Sequence, residues 1–532
     1  MRSSREAMMK YRADEAEIKK YVKEGWWEES KGLVDFVEEN AQNNPSGIAY
    51  QTGDAQISWE EYLQNARHLG ELIRRESEIG DRILVWLPDS PDVHVCYLAC
   101  EISGVVAVGA GWKAGLQELK YLSDVAGASL FLSRDTTLLG TIEDISDYLG
   151  IKSLSVGDQF AELELNNDGL QQDEGIGPSD LWFLNSTSGT TGLPKCVMQT
   201  LNRWFYFHKK AVDFGNLDKE DIWMSVVPAP FGFGLWTAHI TPTLLGVPCL
   251  LQERFDALEA AKQIEKHQVT VLCAVSSQFV MILDASSDID ISSLKVIFTG
   301  GESISPLRAR ELEEKSGCRV LNFYGSNETG TLSGTTIRDP ADKRYTSAGM
   351  VIPEMQVRLY DPKSGERLAD VGQGQPACKG PALSLGYWKD DKANSKLITD
   401  DGWFLMGDLV EIDSEGWLKV TGRVSDIIIR GGKNISALAI ERQVELHPKV
   451  ALVAVVPKPD QKLGEISAAY VQLHAGESLT LEELQFFLRS QGVSIEWWPE
   501  VLNVVETLPI SSGGKVAKGK LKELMISKEE NQ

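Results

Sequence analysis

Residues 186–195 read Ser-Thr-Ser-Gly-Thr-Thr-Gly-Leu-Pro-Lys, with five hydroxyl side chains and two glycines in the first seven positions and Lys195 at the end. Glycine lets a backbone come close to an anion, and hydroxyl and N–H groups along such a turn can donate to phosphate oxygens. A terminal ammonium adds charge to the same cradle. The spacing is not that of a G-x-x-x-x-G-K-[ST] loop, because Pro194 precedes the lysine. On composition alone a flexible polar turn competes with a phosphate site on even terms. Farther along, Tyr324 offers a flat ring for stacking and Glu328 a hard carboxylate oxygen suited to Mg²⁺. Asp408 is an acceptor fitted to vicinal hydroxyls, and Arg423 and Lys515 are cations. Taken singly, Tyr324 reads as a core aromatic, and Asp408, Arg423 and Lys515 as solvated turn residues.

Groups this far apart in sequence need a frame, and the hydrophobic pattern supplies one. A strand at 82–87, a helix at 92–102, a strand at 105–108, a helix at 118–125 and a strand at 129–132 form a βαβαβ series. The pattern returns with a helix at 258–265 and strands at 269–275, 296–299 and 319–324. From about 347 to 420 turns multiply and strands shorten, predicting a small β-rich subdomain. After Gly422-Arg423, strands at 427–429, 451–456 and 466–473, with helices at 439–446 and 481–488, predict a separate α+β unit. The expected architecture is α/β. A large N-terminal domain of several subdomains and mostly parallel sheets spans 1–424, and a small mobile α+β domain spans 425–532.

At 532 residues the chain is too long for one compact core, and its 42% apolar and 24% charged content is that of a soluble globular protein. A formal charge of −24 argues against a general nucleic-acid or anionic-membrane surface. Residues 1–27 are rich in Lys, Glu and Arg and lack an apolar segment, so no signal peptide is expected there. The most apolar stretch, 226–251, is broken by Pro228, Pro230, Gly232, Gly234, Pro242 and Gly246 and cannot form a spanning helix. The seven cysteines lack a C-x-x-C pair, and Cys96 and Cys100, on one helix face, read as core thiols. The seven histidines have no zinc spacing. A reducing cytoplasm is the expected location.

The hydroxyl-rich turn resembles the phosphate-binding signature of the adenylate-forming superfamily of acyl-CoA synthetases, adenylation domains and luciferases. Tyr324-Gly325-Ser326-Asn327-Glu328-Thr329 resembles that family's Y-G-x-T-E, and Gly402-Trp403-Phe404-Leu405-Met406-Gly407-Asp408-Leu409 its G-W-x-x-T-G-D-L. Gly422-Arg423-Val424-Ser425-Asp426 with Gly431-Gly432-Lys433-Asn434-Ile435 resembles its hinge segment, and Leu508-Pro509 to Gly514-Lys515-Val516 its terminal L-P-x-T-x-x-G-K. Five matches in order imply an ATP-dependent acid–thiol ligase working through an acyl-AMP, with Mg²⁺ and with coenzyme A as acceptor substrate. The resemblance assigns Thr187, Ser188, Gly189, Thr190, Thr191, Gly192, Gly301, Glu302, Asn322, Phe323, Tyr324, Gly325, Asn327, Asp408 and Arg423 to the nucleotide. Glu328 and Thr191 would hold the metal. Lys195, Glu328 and above all Lys515 would act on the reacting groups. Ser425 would be the pivot of a mobile C-terminal lid, and Arg430, Gly431, Gly432 and Lys433 would line the thiol tunnel.

The same resemblance maps the acyl pocket to Phe231, Gly232, Phe233, Gly234, Trp236, Ser276 and Gly300. Amino-acid-activating members usually carry Asp, and aryl-acid members often Asn, where Gly232 stands. With no carboxylate there to offset an ammonium, an uncharged apolar acid is expected: aromatic, alicyclic or medium-chain. For any one of these aromatics, simple core packing is a serious alternative. Cys196, Asn327, Met406, Ala437 and Ala439 depart from the family pattern, but none removes a charge the chemistry needs. A holo acyl carrier protein is the competing acceptor. An amide-forming ligase and a non-catalytic nucleotide-binding protein are weaker readings. A homodimer is compatible with the sequence.

Overall fold

The computed structural model describes residues 13–157, 176–186, 195–301, 304–510 and 516–529, without the side chains of Asn434, Leu524 and residues 526–529. A nine-stranded sheet runs in the order Met350–Val351, Gly330–Gly334, Arg319–Ser326, Val296–Gly300, Val271–Cys273, Trp223–Ser225, Cys249–Leu251, Ile48–Thr52, Ala55–Ser58. Its six strands from Arg319–Ser326 to Ile48–Thr52 are parallel, and antiparallel strands close both edges. A six-stranded sheet runs Cys196–Gln199, Phe183–Ser186, Val106–Gly109, Arg82–Val85, Leu130–Ser133, Lys152–Ser155. Only Cys196–Gln199 is antiparallel in it.

These strands are short continuous apolar runs because helices cover both faces. Val106–Gly109 and Leu130–Ser133 are buried along their whole length. Between them lies the helix Pro91–Ile102, started by a proline at its first turn and buried on nearly every side. Its Glu101 does a further job. The helix Leu33–Asn43 follows Gly32, which has no side chain to cap it, and Glu101 Oε1 accepts from Val34 N at 3.1 Å instead. Burial lifts the Glu101 carboxyl to about 8, against the pull of the Val34 and Leu33 N–H groups.

The β-rich segment is a five-stranded sheet: Gln356–Tyr360, Gly372–Lys379, Asp408–Ile412 and Leu418–Arg423, with Phe404–Leu405 beside Gly372–Lys379. Its strands are not uniformly short, since Gly372–Lys379 runs eight residues. A fourth sheet begins directly after the turn Val424–Asp426, in the order Lys433–Ser436, Ile427–Arg430, Gly464–Leu473, Val450–Asp460, with Val501–Val505 beside Gly464–Leu473. Helices Ala437–Val444 and Leu481–Ser490 pack on it around Ile428, Ile440, Val455 and Leu484. Ser436 caps the first of these, accepting from Ala439 N at 3.3 Å, so the helix starts before its apolar pattern does. Ser436 Oγ also donates to Thr421 O at 2.6 Å, and Arg442 Nη2 to Val420 O at 3.0 Å. Both fasten this last unit to the strand Leu418–Arg423. Among the described residues no helix is long and apolar enough to cross a membrane, and all seven cysteines are buried and unpaired.

Candidate active site

Tyr324 lies toward the carboxyl end of the parallel strand Arg319–Ser326, the end at which open α/β sheets bind ligands. Asp408 opens the strand Asp408–Ile412 and pairs across the sheet with Arg423, the last residue of Leu418–Arg423. Tyr324 Oη donates to Asp408 Oδ2 at 3.0 Å and Arg423 Nε to Asp408 Oδ1 at 3.1 Å. Burial, then the neighbouring Asp408, pushes the Tyr324 hydroxyl well above its ordinary range, so it stays a donor. Each Asp408 oxygen retains a lone pair for a further hydroxyl.

A second group forms around Glu328. Tyr387 Oη donates to Glu328 Oε1 at 2.7 Å, and Lys195 Nζ sits 4.7 Å from the centroid of the same tyrosine ring. Burial and then Glu328 raise the Tyr387 hydroxyl, which keeps its proton. Among the described residues Glu328 Oε2 has no donor, so a hard divalent cation fits there.

Ser186 faces Cys196 across the antiparallel pair that flanks residues 187–194. Thr187, Ser188, Gly189, Thr190, Thr191 and Gly192 lie outside the described residues, as do Glu302 and Lys515. Beneath that pair runs a chain of polar side chains that the motifs do not announce. Arg203, 1% exposed, binds Ala382 O at 2.8 Å, Asn327 O at 2.7 Å and the Gln199 Oε1 atom. Gln199 Nε2 donates to Asn185 Oδ1 at 2.7 Å, and Asn185 Nδ2 to Asn327 Oδ1 at 3.2 Å. Burial lowers the Arg203 guanidinium to about 9, still a cation at neutral pH, with Glu328 pulling it back up.

On the acyl side, Trp236 is fully buried in a π-helical turn, Leu235–Ile240. It is sandwiched between Phe207 at 4.4 Å and Phe233 at 5.5 Å, with Phe298 and Phe323 edge-on. Trp236 therefore forms the backing of an aromatic wall, while Phe231, Gly232 and Phe233 stand in front of it. Gly300 pairs with Phe323 at the ends of adjacent strands, Gly301 follows at φ +77°, and Ser276 opens the helix Ser276–Ala285. Asn322 is tied away, its Nδ2 donating to Ser347 O at 3.3 Å. Gly325 lies against Gly330, where a side chain would collide with the Gly330 carbonyl.

Ser425 lies in the turn Val424–Asp426, just after Val424 N donates to Gly407 O at 2.9 Å. Arg430 pairs with Glu500 and Lys433 with Glu496, and Gly431 and Gly432 between them adopt φ +56° and +82°. Ile510 bridges to Val516, and Ala517 N donates to Pro509 O at 2.7 Å, fixing both feet of residues 511–515. Lys518 binds Glu441 at 2.7 Å and approaches Asp426 at 3.7 Å. Among the described residues no group of three or more His, Cys, Asp or Glu is placed to hold a metal, although the buried His94 and His239 meet at 3.2 Å.

The medium-chain fatty-acid–CoA ligase of Escherichia coli K12 is 28% identical over 521 residues, covering 94% of this chain and 91% of that enzyme. The vibriobactin-specific 2,3-dihydroxybenzoate-AMP ligase of Vibrio cholerae is 27% identical over 528 residues, 96% of each. The crystal structure of ATP-bound MatB from Rhodopseudomonas palustris, 24% identical, superposes with a TM-score of 0.82 over 92% of this chain and 98% of that one, and so shares the fold. Residues 37–388 match the family of AMP-binding enzymes, and residues 439–515 match the C-terminal domain of the same enzymes. With both domains matched in the order in which the motifs run, the chain belongs to the AMP-binding enzyme family.

Proposed function

We propose that this AMP-forming acid–thiol ligase activates an uncharged, largely apolar carboxylic acid with ATP and passes the acyl group to coenzyme A. The observation that carries the reading is Asp408, held by Tyr324 and Arg423 with lone pairs left for the two ribose hydroxyls. The adenine would lie along Tyr324, and the triphosphate would run past Lys195 toward Glu328. Mg²⁺ bound there supplies neutralisation of phosphate charge. The acid's carboxylate oxygen attacks the α-phosphorus and pyrophosphate leaves, giving the acyl-AMP. Lys515, delivered by the turn between Ile510 and Val516, would stabilise the charge that develops between carboxylate and phosphate. The thiol then attacks the acyl carbonyl, losing its proton, and AMP departs. Ser425 would pivot the last domain between the two steps, bringing Gly431 and Gly432 up to the thiol.

The acid's class is supported by what surrounds Gly232, namely Phe231, Phe233, Trp204 and Asn327, with no carboxylate to receive an ammonium. Relatives that act on a medium-chain fatty acid and on 2,3-dihydroxybenzoate agree with an uncharged acid. The second of these is an AMP ligase by name, which keeps a carrier-protein thiol as the competing acceptor. Pyrophosphate exchange with benzoate, cyclohexanecarboxylate, octanoate and phenylalanine tests the class, and preference for phenylalanine would overturn it. AMP release with coenzyme A, a holo carrier protein or hydroxylamine then distinguishes the acceptors.

A further inference from the structure

Gly232 has no side chain, and the space beside it is filled from the opposite wall. A Cβ built on Gly232 would collide with Asn327 Oδ1 and meet the rim of the Trp204 ring at 3.3 Å. The Asn327 carboxamide therefore stands where a side chain at position 232 would stand.

Which end of that amide faces a ligand follows from a donor-only group. Arg203 can only donate, so the Gln199 atom it binds is the oxygen. Gln199 must then present Nε2 to Asn185, and the Asn185 atom 2.7 Å away is its oxygen. Asn185 in turn presents Nδ2, at 3.2 Å, to the oxygen of Asn327. Each amide, ambiguous in isolation, is fixed by its predecessor. The backbone of Asn327 is held as well, its carbonyl accepting from Arg203 Nη1 at 2.7 Å. Among the described residues Asn327 Nδ2 has no acceptor, so the carboxamide offers N–H donors to whatever enters beside Gly232. The wall behind is flat: Trp204, Phe207, Trp236 and Phe233 follow one another with interplanar angles of 24°, 15° and 16°.

We propose that Asn327 reads the acid, and that Arg203 is the positioning residue that orients it through Gln199 and Asn185. The preferred substrate is then a flat aromatic acid carrying a neutral hydrogen-bond acceptor, such as a hydroxyl or ether oxygen, next to its carboxyl. This rests on the acid-activating role proposed above. A site built to bond such a group discriminates against the analogue lacking it, because the buried amide is left unpaired.

The test is ATP–pyrophosphate exchange, read as the kcat/KM ratio of 2-methoxybenzoate to benzoate and of 2-aminobenzoate to benzoate within each enzyme. The native chain is expected to favour 2-methoxybenzoate by about tenfold or more. Asn327→Ala should bring that ratio close to one, whatever the absolute rate. Asn185→Asp keeps every side-chain size but can no longer donate, so Asn327 must turn its oxygen toward the ligand. The preference should then pass to 2-aminobenzoate, an inversion that mere loosening of the fold would not produce. Native ratios near one, or ratios unchanged in Asn185→Asp, overturn the assignment while leaving acid activation intact. Exchange with no carboxylic acid at all overturns the proposed function and this inference with it.

Discussion

Tyr324 and Arg423 grip opposite oxygens of one carboxylate, Asp408, from different sheets, at 3.0 and 3.1 Å. The nucleotide platform is thus assembled across the boundary between the nine-stranded sheet and the β-rich sheet. Asp408→Ala should raise the KM for ATP roughly 10- to 100-fold, the range for losing hydrogen bonds to a charged group, and Tyr324→Phe by a smaller factor. Initial-rate kinetics with varied ATP check both. An unchanged KM in Asp408→Ala would remove Asp408 from the nucleotide site.

Tyr387 orients Glu328 through its Oε1. Tyr387→Phe should leave that carboxylate free to rotate, raising the Mg²⁺ concentration for half-maximal pyrophosphate exchange by roughly three- to tenfold. Titration of exchange activity with Mg²⁺ at saturating ATP measures this. A shift confined to the KM of the acid would place Tyr387 elsewhere.

Lys515→Ala should abolish acyl-AMP formation yet keep most thioester formation from supplied acyl-AMP, because the proposed ammonium acts on the first step alone. The two half-reactions, assayed separately, give the answer. Equal losses in both would contradict the role.

Gly432→Leu should act the other way, sparing pyrophosphate release and cutting thioester formation. A Cβ at Gly432 meets nothing within 4 Å, and φ +82° costs a non-glycine residue about 1–2 kcal/mol, which the domain can absorb. Normal thioester formation would exclude Gly431-Gly432 from the thiol's path.

Glu101 gives a pH signature independent of catalysis. Its carboxyl is raised to about 8 in the folded chain, chiefly by burial, against about 4.3 when unfolded. Between those values the native state holds the extra proton, so stability falls as pH rises, by at most about 1.4 kcal/mol per pH unit. Glu101→Gln removes the titration. Its apparent Tm, measured from pH 5 to 9, should decline less with rising pH than that of the native chain and exceed it at pH 9. Parallel curves would show that Glu101 does not titrate in that window.

The strands at 82–87, 105–108, 129–132, 296–299 and 319–324 were legible to within a few residues because both their faces are covered, leaving unbroken apolar runs. The edge pair Ile48–Thr52 and Ala55–Ser58 was not, since its outer residues are polar and half exposed. The strand expected over 269–275 spans only Val271–Cys273, because Ala274 and Val275 turn into the helix Ser276–Ala285. In the site, residues inside motifs announced themselves, whereas Arg203, Gln199, Asn185 and Tyr387 did not. Nothing local marks an arginine among the aromatics of residues 204–207 as a buried anchor. Its partners, Asn327 and Ala382, arrive from 124 and 179 residues away. His94 and His239 carry the same lesson, 145 residues apart in the chain and in contact in the core.

One residue separates Arg423 from Ser425, and that residue, Val424, has its N–H committed to Gly407 O. The base of the pivot is therefore clamped to the sheet that holds Asp408, and torsion applied at Ser425 has no slack to pass backward into the ribose grip. Reorienting the last domain must instead break the two bonds that Ser436 and Arg442 make to Thr421 O and Val420 O. The cost of changing orientation is thereby confined to the moving part, and the adenosine half of the ligand should be held equally well before and after the swing.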